Sequence, residues 1–118
     1  IFGSRGLGDV YKRQAWMAVA ERERGNDPLQ AIQKLDLDSG ETHTWSAAPR
    51  GFVSEPLMVR RPGAEAEDDG WVLDLVWNGA RAASDLVILN ARDLSEVAVL
   101  ELPLAVPHGL HGSWAPIS

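Results

Sequence analysis

The stretch VPHGLHGSW, residues 106–114, sets two of the chain's three histidines, His108 and His111, among glycines. A neutral imidazole is the commonest side-chain ligand for a transition metal, and glycine beside it lets the backbone turn close to an ion. One imidazole offers one bond, so a metal centre built on this stretch needs further ligands from elsewhere. Glu55 draws attention for a related reason: it begins an apolar run and is followed by Pro56, an odd place for a carboxylate whose only requirement is solvent. A carboxylate there suits the second task of a metal site, accepting the other ring N–H of a ligand histidine and fixing its orientation. The plainer reading is that His111 and Glu55 are hydrogen-bonded structural residues. His43, in an E-T-H-T alternation, reads as an exposed or half-buried hairpin residue.

Two further groups invite a chemical reading. The acidic turn AEAEDDG, residues 64–70, is rich in carboxylates but lacks the alternating spacing and distal Glu of a calcium loop, so it is expected to be a solvated hairpin tip. Trp45, Trp71, Trp77 and Trp114 have the chemistry of a stacking platform for a sugar or base, but their apolar neighbours favour packing in a core or between sheets.

The elements that must position these residues are strands. From Ala15 onward short apolar runs alternate with turn clusters, and no run keeps a helical period over three turns, so the class is all-β. Strands are expected near 15–22, 29–37, 41–47, 55–60, 70–78, 84–90 and 96–102. Between them GNDP, DSG, PRG, RPGAEAEDDG, GARAA and ARDLS supply turn chemistry. The runs WVLDLVW and LVIL are apolar at consecutive positions, as in strands covered on both faces. Stacked β-propeller blades provide that cover. A blade takes roughly 40 to 50 residues, which leaves room for about two blades here, fewer than a closed propeller needs.

The chain has 118 residues, 45% hydrophobic, with net charge −6 and no cysteine. Its Lys and Arg are scattered, so no footprint for nucleic acid is expected. Disulfides and thiolate metal sites are excluded, in keeping with a reducing, cytoplasmic compartment. No run of about 18 apolar residues exists to span a bilayer. The opening IFGSRGLGDVYKRQ, residues 1–14, carries Arg5, Lys12 and Arg13 against Asp9 in an otherwise acidic chain and shows no strand pattern. Its ending GLGDVYKRQ resembles a translated sequencing-adapter tail, so residues 1–14 are expected to be non-native and residues 15–118 to form the domain.

Four motifs follow in order: S-E-P at 54–56, P-x-A-x-x-E-D-D-G at 62–70, L-x-A-x-D-L at 89–94 and P-x-G-x-H-G at 107–112. Together they resemble the C-terminal end of the carotenoid cleavage oxygenase family, which includes apocarotenoid and stilbene-cleaving dioxygenases and the retinoid isomerase of the retinal pigment epithelium. The resemblance implies the last blades, about two, of a seven-bladed β-propeller whose axis holds one non-haem Fe(II) on four histidines from different blades. His111 matches the last ligand and Glu55 a carboxylate that hydrogen-bonds a ligand histidine. His108 falls where the pattern varies and is read as a rim residue. The whole protein is then expected to cleave a C=C bond of a carotenoid, apocarotenoid or stilbene-like molecule with O2. The family has soluble and membrane-associated members, so peripheral membrane contact belongs to the whole protein if to any part. The 118 residues alone are expected to be inactive. The alternative is a propeller fragment acting as a non-catalytic interaction scaffold.

Overall fold

Among the described residues of the computed structural model (13–20, 29–48, 51–107 and 113–115), the regular elements are eight strands in two sheets. The first sheet is an antiparallel meander of β1 (Gln14–Ala20), β2 (Leu29–Asp36) and β3 (Thr42–Ser46). The second contains β4 (Gly51–Val53), β5 (Leu57–Arg60), β6 (Gly70–Asn78), β7 (Ala83–Asn90) and β8 (Glu96–Glu101). Both β4 and β5 pair with β6, so together they act as one interrupted edge strand, and the sheet is a four-row antiparallel meander ending at β8.

Alternation along β6 and β7 explains why the sheets stack. Val72 and Val76 of β6 and Val87 and Leu89 of β7 face inward and are buried, joined by Val53, Ala91 and Leu94. Trp16 of β1 and Ile32 of β2 meet them from the first sheet. Trp16 also donates its indole N–H to the Ala91 carbonyl at 2.9 Å, which satisfies the ring's polar atom inside the core. The opposite face of β6, with Trp71, Leu73, Leu75 and Trp77, is half-buried. Cover on both faces, expected from the consecutive apolar residues, is therefore complete on one face and partial on the other. Among the described residues, the large exposed apolar side chains include Val97, Val99 and Leu100 on β8, with Leu29, Leu37, Leu104 and Trp114 elsewhere.

The strands lie close to their expected positions, with two differences. β1 opens at Gln14, paired with Asp36, one residue before the boundary drawn at Ala15. Arg13 is tied in as well: its carbonyl accepts from the Leu37 N–H at 2.6 Å and its guanidinium meets Asp38 at 2.8 Å. Residues 1–12 lie outside the described residues. The second difference is β4, which falls between the strands expected at 41–47 and 55–60 and shares only Gly51 with the PRG turn. The nine-residue β6 extends past four-residue β5, and its far end takes Gly51, Phe52 and Val53 as partners.

The acidic turn is not the solvated hairpin tip that its composition suggests. Asp68, on the β5–β6 connection, reaches across to the first sheet and accepts from Lys34 Nζ of β2 at 3.0 Å. The same ammonium donates to the Arg92 carbonyl at 2.7 Å and lies 5.9 Å from the Trp16 ring centre. Lys34 is only 5% exposed. Burial alone would raise the Asp68 carboxyl, but the Lys34 hydrogen bond and charge, with Gln14 and Arg92, outweigh it and hold the group below the usual carboxylate range. Glu67 accepts from the Arg13 N–H, and Asp69 pairs with Arg61, whose guanidinium stacks 4.6 Å from the Trp71 ring centre. Asp68 and Glu67 thus clamp the two sheets, while Asp69 ties the connection to Arg61 beside the end of β5. Gly70 ends the run because a Cβ there would collide with the Val59 carbonyl and the Arg60 Cα.

Candidate functional site

Register along β6 gives Glu55 its setting. Val53 pairs with Val76, and Leu57 with Leu73, so three residues on the edge strand face two on β6. Extending each register puts Ser54 opposite Leu75 and Pro56 opposite Asp74, with Glu55 the inserted residue of a β-bulge. In an unbroken strand Glu55 would repeat the inward face of Val53, because side chains alternate with a period of two. The extra residue gives that inward place to Pro56, which is fully buried, and Glu55 comes out exposed. Pro56 suits the interruption, having no N–H to contribute to a ladder. The strand expected over 55–60 accordingly begins at Leu57.

Asp74 holds this bulge from β6. Its Oδ1 accepts from the Ser54 backbone N–H at 3.0 Å and from the Ser54 hydroxyl at 3.1 Å. The Ser54 N–H also reaches the Leu75 carbonyl at 3.2 Å. Asp74 is 2% exposed, and its Oδ2 is buried without a hydrogen-bond partner among the described residues. Burial pushes its carboxyl up to about 7, while the two Ser54 hydrogen bonds pull the other way. In the sequence Asp74 is masked by its setting, because WVLDLVW reads as an apolar run. The signal was there: a lone carboxylate at an inward position of an alternating strand.

This group sets a pH dependence with a definite sign. The folded chain keeps a proton that the unfolded chain releases near pH 4, so Asp74 makes folding progressively less favourable between about pH 4 and pH 7, by about 4 kcal/mol in all. Above pH 7 its effect is constant. In Asp74→Asn that loss is absent, so the stability difference between variant and parent should move in the variant's favour across this window. Urea unfolding at pH 4.5 and pH 7.5 measures it; an unchanged difference would mean that Asp74 is ionised in the fold throughout.

The sequence-selected histidines are distributed as follows. His43 lies on β3, half-buried, with its Nε2 3.1 Å from the Glu41 carboxylate. His108 and His111 lie outside the described residues. No three His, Cys, Asp or Glu side chains cluster as a metal site among the described residues. Trp45 packs against the core and donates its indole N–H to Glu96 at 3.0 Å, whereas Trp114 is 55% exposed, unlike the packed residue expected. Glu55 is an exposed carboxylate turned out of the core on an edge strand, a place that suits a solvated strand start as well as the outer support of a metal site, and no cluster among the described residues could hold an ion by itself.

Two stacked antiparallel meanders with an interrupted edge strand define a class, consecutive blades of a β-propeller. The profile of the family described as RPE65, retinal pigment epithelial membrane protein, matches residues 9–116, and the chain belongs to that family of carotenoid cleavage oxygenases. It is 49% identical over 105 residues to apocarotenoid-15,15'-oxygenase of Synechocystis, a match covering 87% of this chain and 21% of the relative. It is 32% identical over 115 residues to lignostilbene-alpha,beta-dioxygenase isozyme III of Sphingomonas paucimobilis, covering 96% of this chain and 24% of the relative. The solved structure of cobalt-substituted Synechocystis apocarotenoid oxygenase superposes with a TM-score of 0.85 at 47% identity, over 90% of this chain and 22% of that one. The fold is therefore that of propeller blades, and the family's members are non-haem iron enzymes. The chain spans between a fifth and a quarter of the length of these relatives.

Proposed function

We propose that the whole protein carrying this chain is an Fe(II)-dependent dioxygenase that adds O2 across a C=C bond of a carotenoid, apocarotenoid or stilbene-like substrate. The double bond and the O–O bond break, and two carbonyl products form. The observation that carries this reading is the high identity, over most of the chain, to an apocarotenoid oxygenase. The bulge at Glu55 supports it from the structural side.

In this reading His111 contributes one of four imidazole bonds to one iron ion, and Gly112 and Gly109 give the backbone room to turn beside it. Glu55 accepts the outward N–H of a ligand histidine, which fixes the ring and makes its metal-binding nitrogen more basic. Its charge also offsets the dication, which four neutral ligands leave uncompensated. When bound, the iron activates O2 and orients it against the alkene. Packing between the sheets fixes the edge strand that carries Glu55. The apolar, half-exposed outer face of β6 supports a further layer packing there in the whole protein. Peripheral contact with a membrane, as a route for an apolar substrate, belongs to the same proposal.

The test is oxygen uptake by the iron-loaded whole protein with an apocarotenal and with a hydroxylated stilbene, products identified by mass spectrometry. Paired aldehyde products from one of them are expected. Stoichiometric iron without cleavage of either would contradict the activity, and a protein that retains no iron would favour the interaction scaffold. Glu55→Gln is expected to weaken iron binding or turnover by about 10- to 100-fold with the fold intact, since the amide keeps the size and one acceptor but loses the charge. Iron titration and circular dichroism check this; wild-type affinity and rate in the variant would return Glu55 to a structural role.

A further inference from the structure

We propose that Asp74 is a positioning residue for Glu55: by accepting both the backbone N–H and the hydroxyl of Ser54 on one oxygen, it locks the bulge that turns Glu55 away from the core. The inference rests on the proposed role of Glu55 at the metal centre.

A carboxyl at position 74 is costly by itself. Its neighbours on the inward face of β6 are Val72 and Val76, and its cross-strand partner on β7 is Val87, all buried. A branched aliphatic residue at 74 would continue that surface without an unsatisfied oxygen. Among the described residues the only hydrogen bonds made by the Asp74 side chain are to Ser54, the residue before Glu55. The cost is therefore tied to one local feature, the irregular backbone on the opposite strand.

The competing local state is definite. Sliding the edge strand by one residue would restore regular pairing but carry Glu55 to the inward face beside Val53, reversing its orientation. Ser54 anchors the irregular register against this slip. Its N–H is shared between the Leu75 carbonyl, which continues the β4 ladder, and Asp74 Oδ1, which belongs to the row opposite Pro56. The two registers are thus joined at one residue, and Asp74 supplies the acceptor from the second. Through this link a buried side chain on β6 sets the direction of a carboxylate on its neighbour.

Titration of the whole protein with ferrous iron, and with Co(II) followed by its visible absorption, tests the coupling. Asp74→Leu, which removes the acceptor but keeps the branching at Cγ, should lose iron affinity by about 10- to 100-fold, matching Glu55→Gln. Asp74→Asn keeps the Oδ1 acceptor and should bind within a few-fold of wild type. In the Glu55→Gln background, Asp74→Leu should add no further loss, because it acts through the group already altered. Losses that multiply in the double variant, or wild-type affinity in Asp74→Leu while Glu55→Gln is impaired, would overturn the inference. Wild-type affinity in Glu55→Gln would instead reject the reading on which it rests. Should Asp74→Leu fail to fold, Ser54→Ala, which removes one of the two hydrogen bonds and disturbs no core residue, takes its place: a several-fold loss, absent in the Glu55→Gln background, is expected, and wild-type affinity overturns the proposal.

Discussion

Replacing His111 by alanine in the whole protein should abolish iron retention, and with it all turnover, whereas His108→Ala should leave the iron bound. The contrast separates two histidines three residues apart in one glycine-rich stretch. With one of the four imidazoles gone, the site would lose a strong nitrogen donor to the ion. His108 lies outside the H-G pair that matches the family's terminal motif, so its loss removes no bond to the metal. Metal analysis after gel filtration gives the answer for both variants. Equal loss from the two would show that the stretch matters as a folded unit rather than through one ligand, and retained iron in His111→Ala would remove the residue from the metal centre.

Lys34→Met should destabilise the chain by about 3 to 5 kcal/mol, the usual consequence of leaving one partner of a buried ion pair without the other. Lys34 and Asp68 join the two sheets from sites 34 residues apart, with side chains 6% and 15% exposed. Without the ammonium, Asp68 keeps only Gln14 at 3.3 Å and Arg92 at 3.6 Å, and the Arg92 carbonyl loses its donor. Lys34→Met combined with Asp68→Leu should recover much of the loss, because a packed apolar pair avoids desolvating two charges. The sign with pH follows from the depressed Asp68 carboxyl. The stabilisation it contributes is present above the ordinary carboxylate range and is lost as pH falls through the lowered folded value, so Lys34→Met should flatten the acid limb of the stability curve. Urea unfolding of the single and double variants tests this, and a cost below about 1 kcal/mol for Lys34→Met would reduce the clamp to a surface contact.

Both the strengths and the failures of sequence reading here have physical origins. Strands such as Gly70–Asn78 and Glu96–Glu101 were legible because turn residues bound them closely. β4 was not, because three residues are too few to display a period, and its existence depends on the unpaired length of β6. The clamp role of Asp68 was hidden for a different reason: AEAEDDG is hydrophilic by composition, and its partner Lys34 is a lone ammonium in the strand expected at 29–37, with nothing local to pair the two. Only the stacking of the sheets brings them together. Glu55 was legible as an anomaly, but the bulge that turns it outward is a matter of register between strands, to which Pro56 is the single local clue. His111 was legible only through its motif.

The most direct measurement is anomalous diffraction at the iron edge from crystals of the whole, iron-loaded protein. The account predicts a single iron peak with a His111 ring nitrogen bonded to it, and the Glu55 carboxylate within hydrogen-bonding distance of the outward N–H of one ligand histidine. An iron ion held by histidines that do not include His111, or a Glu55 carboxylate turned inward beside Val53, would contradict it.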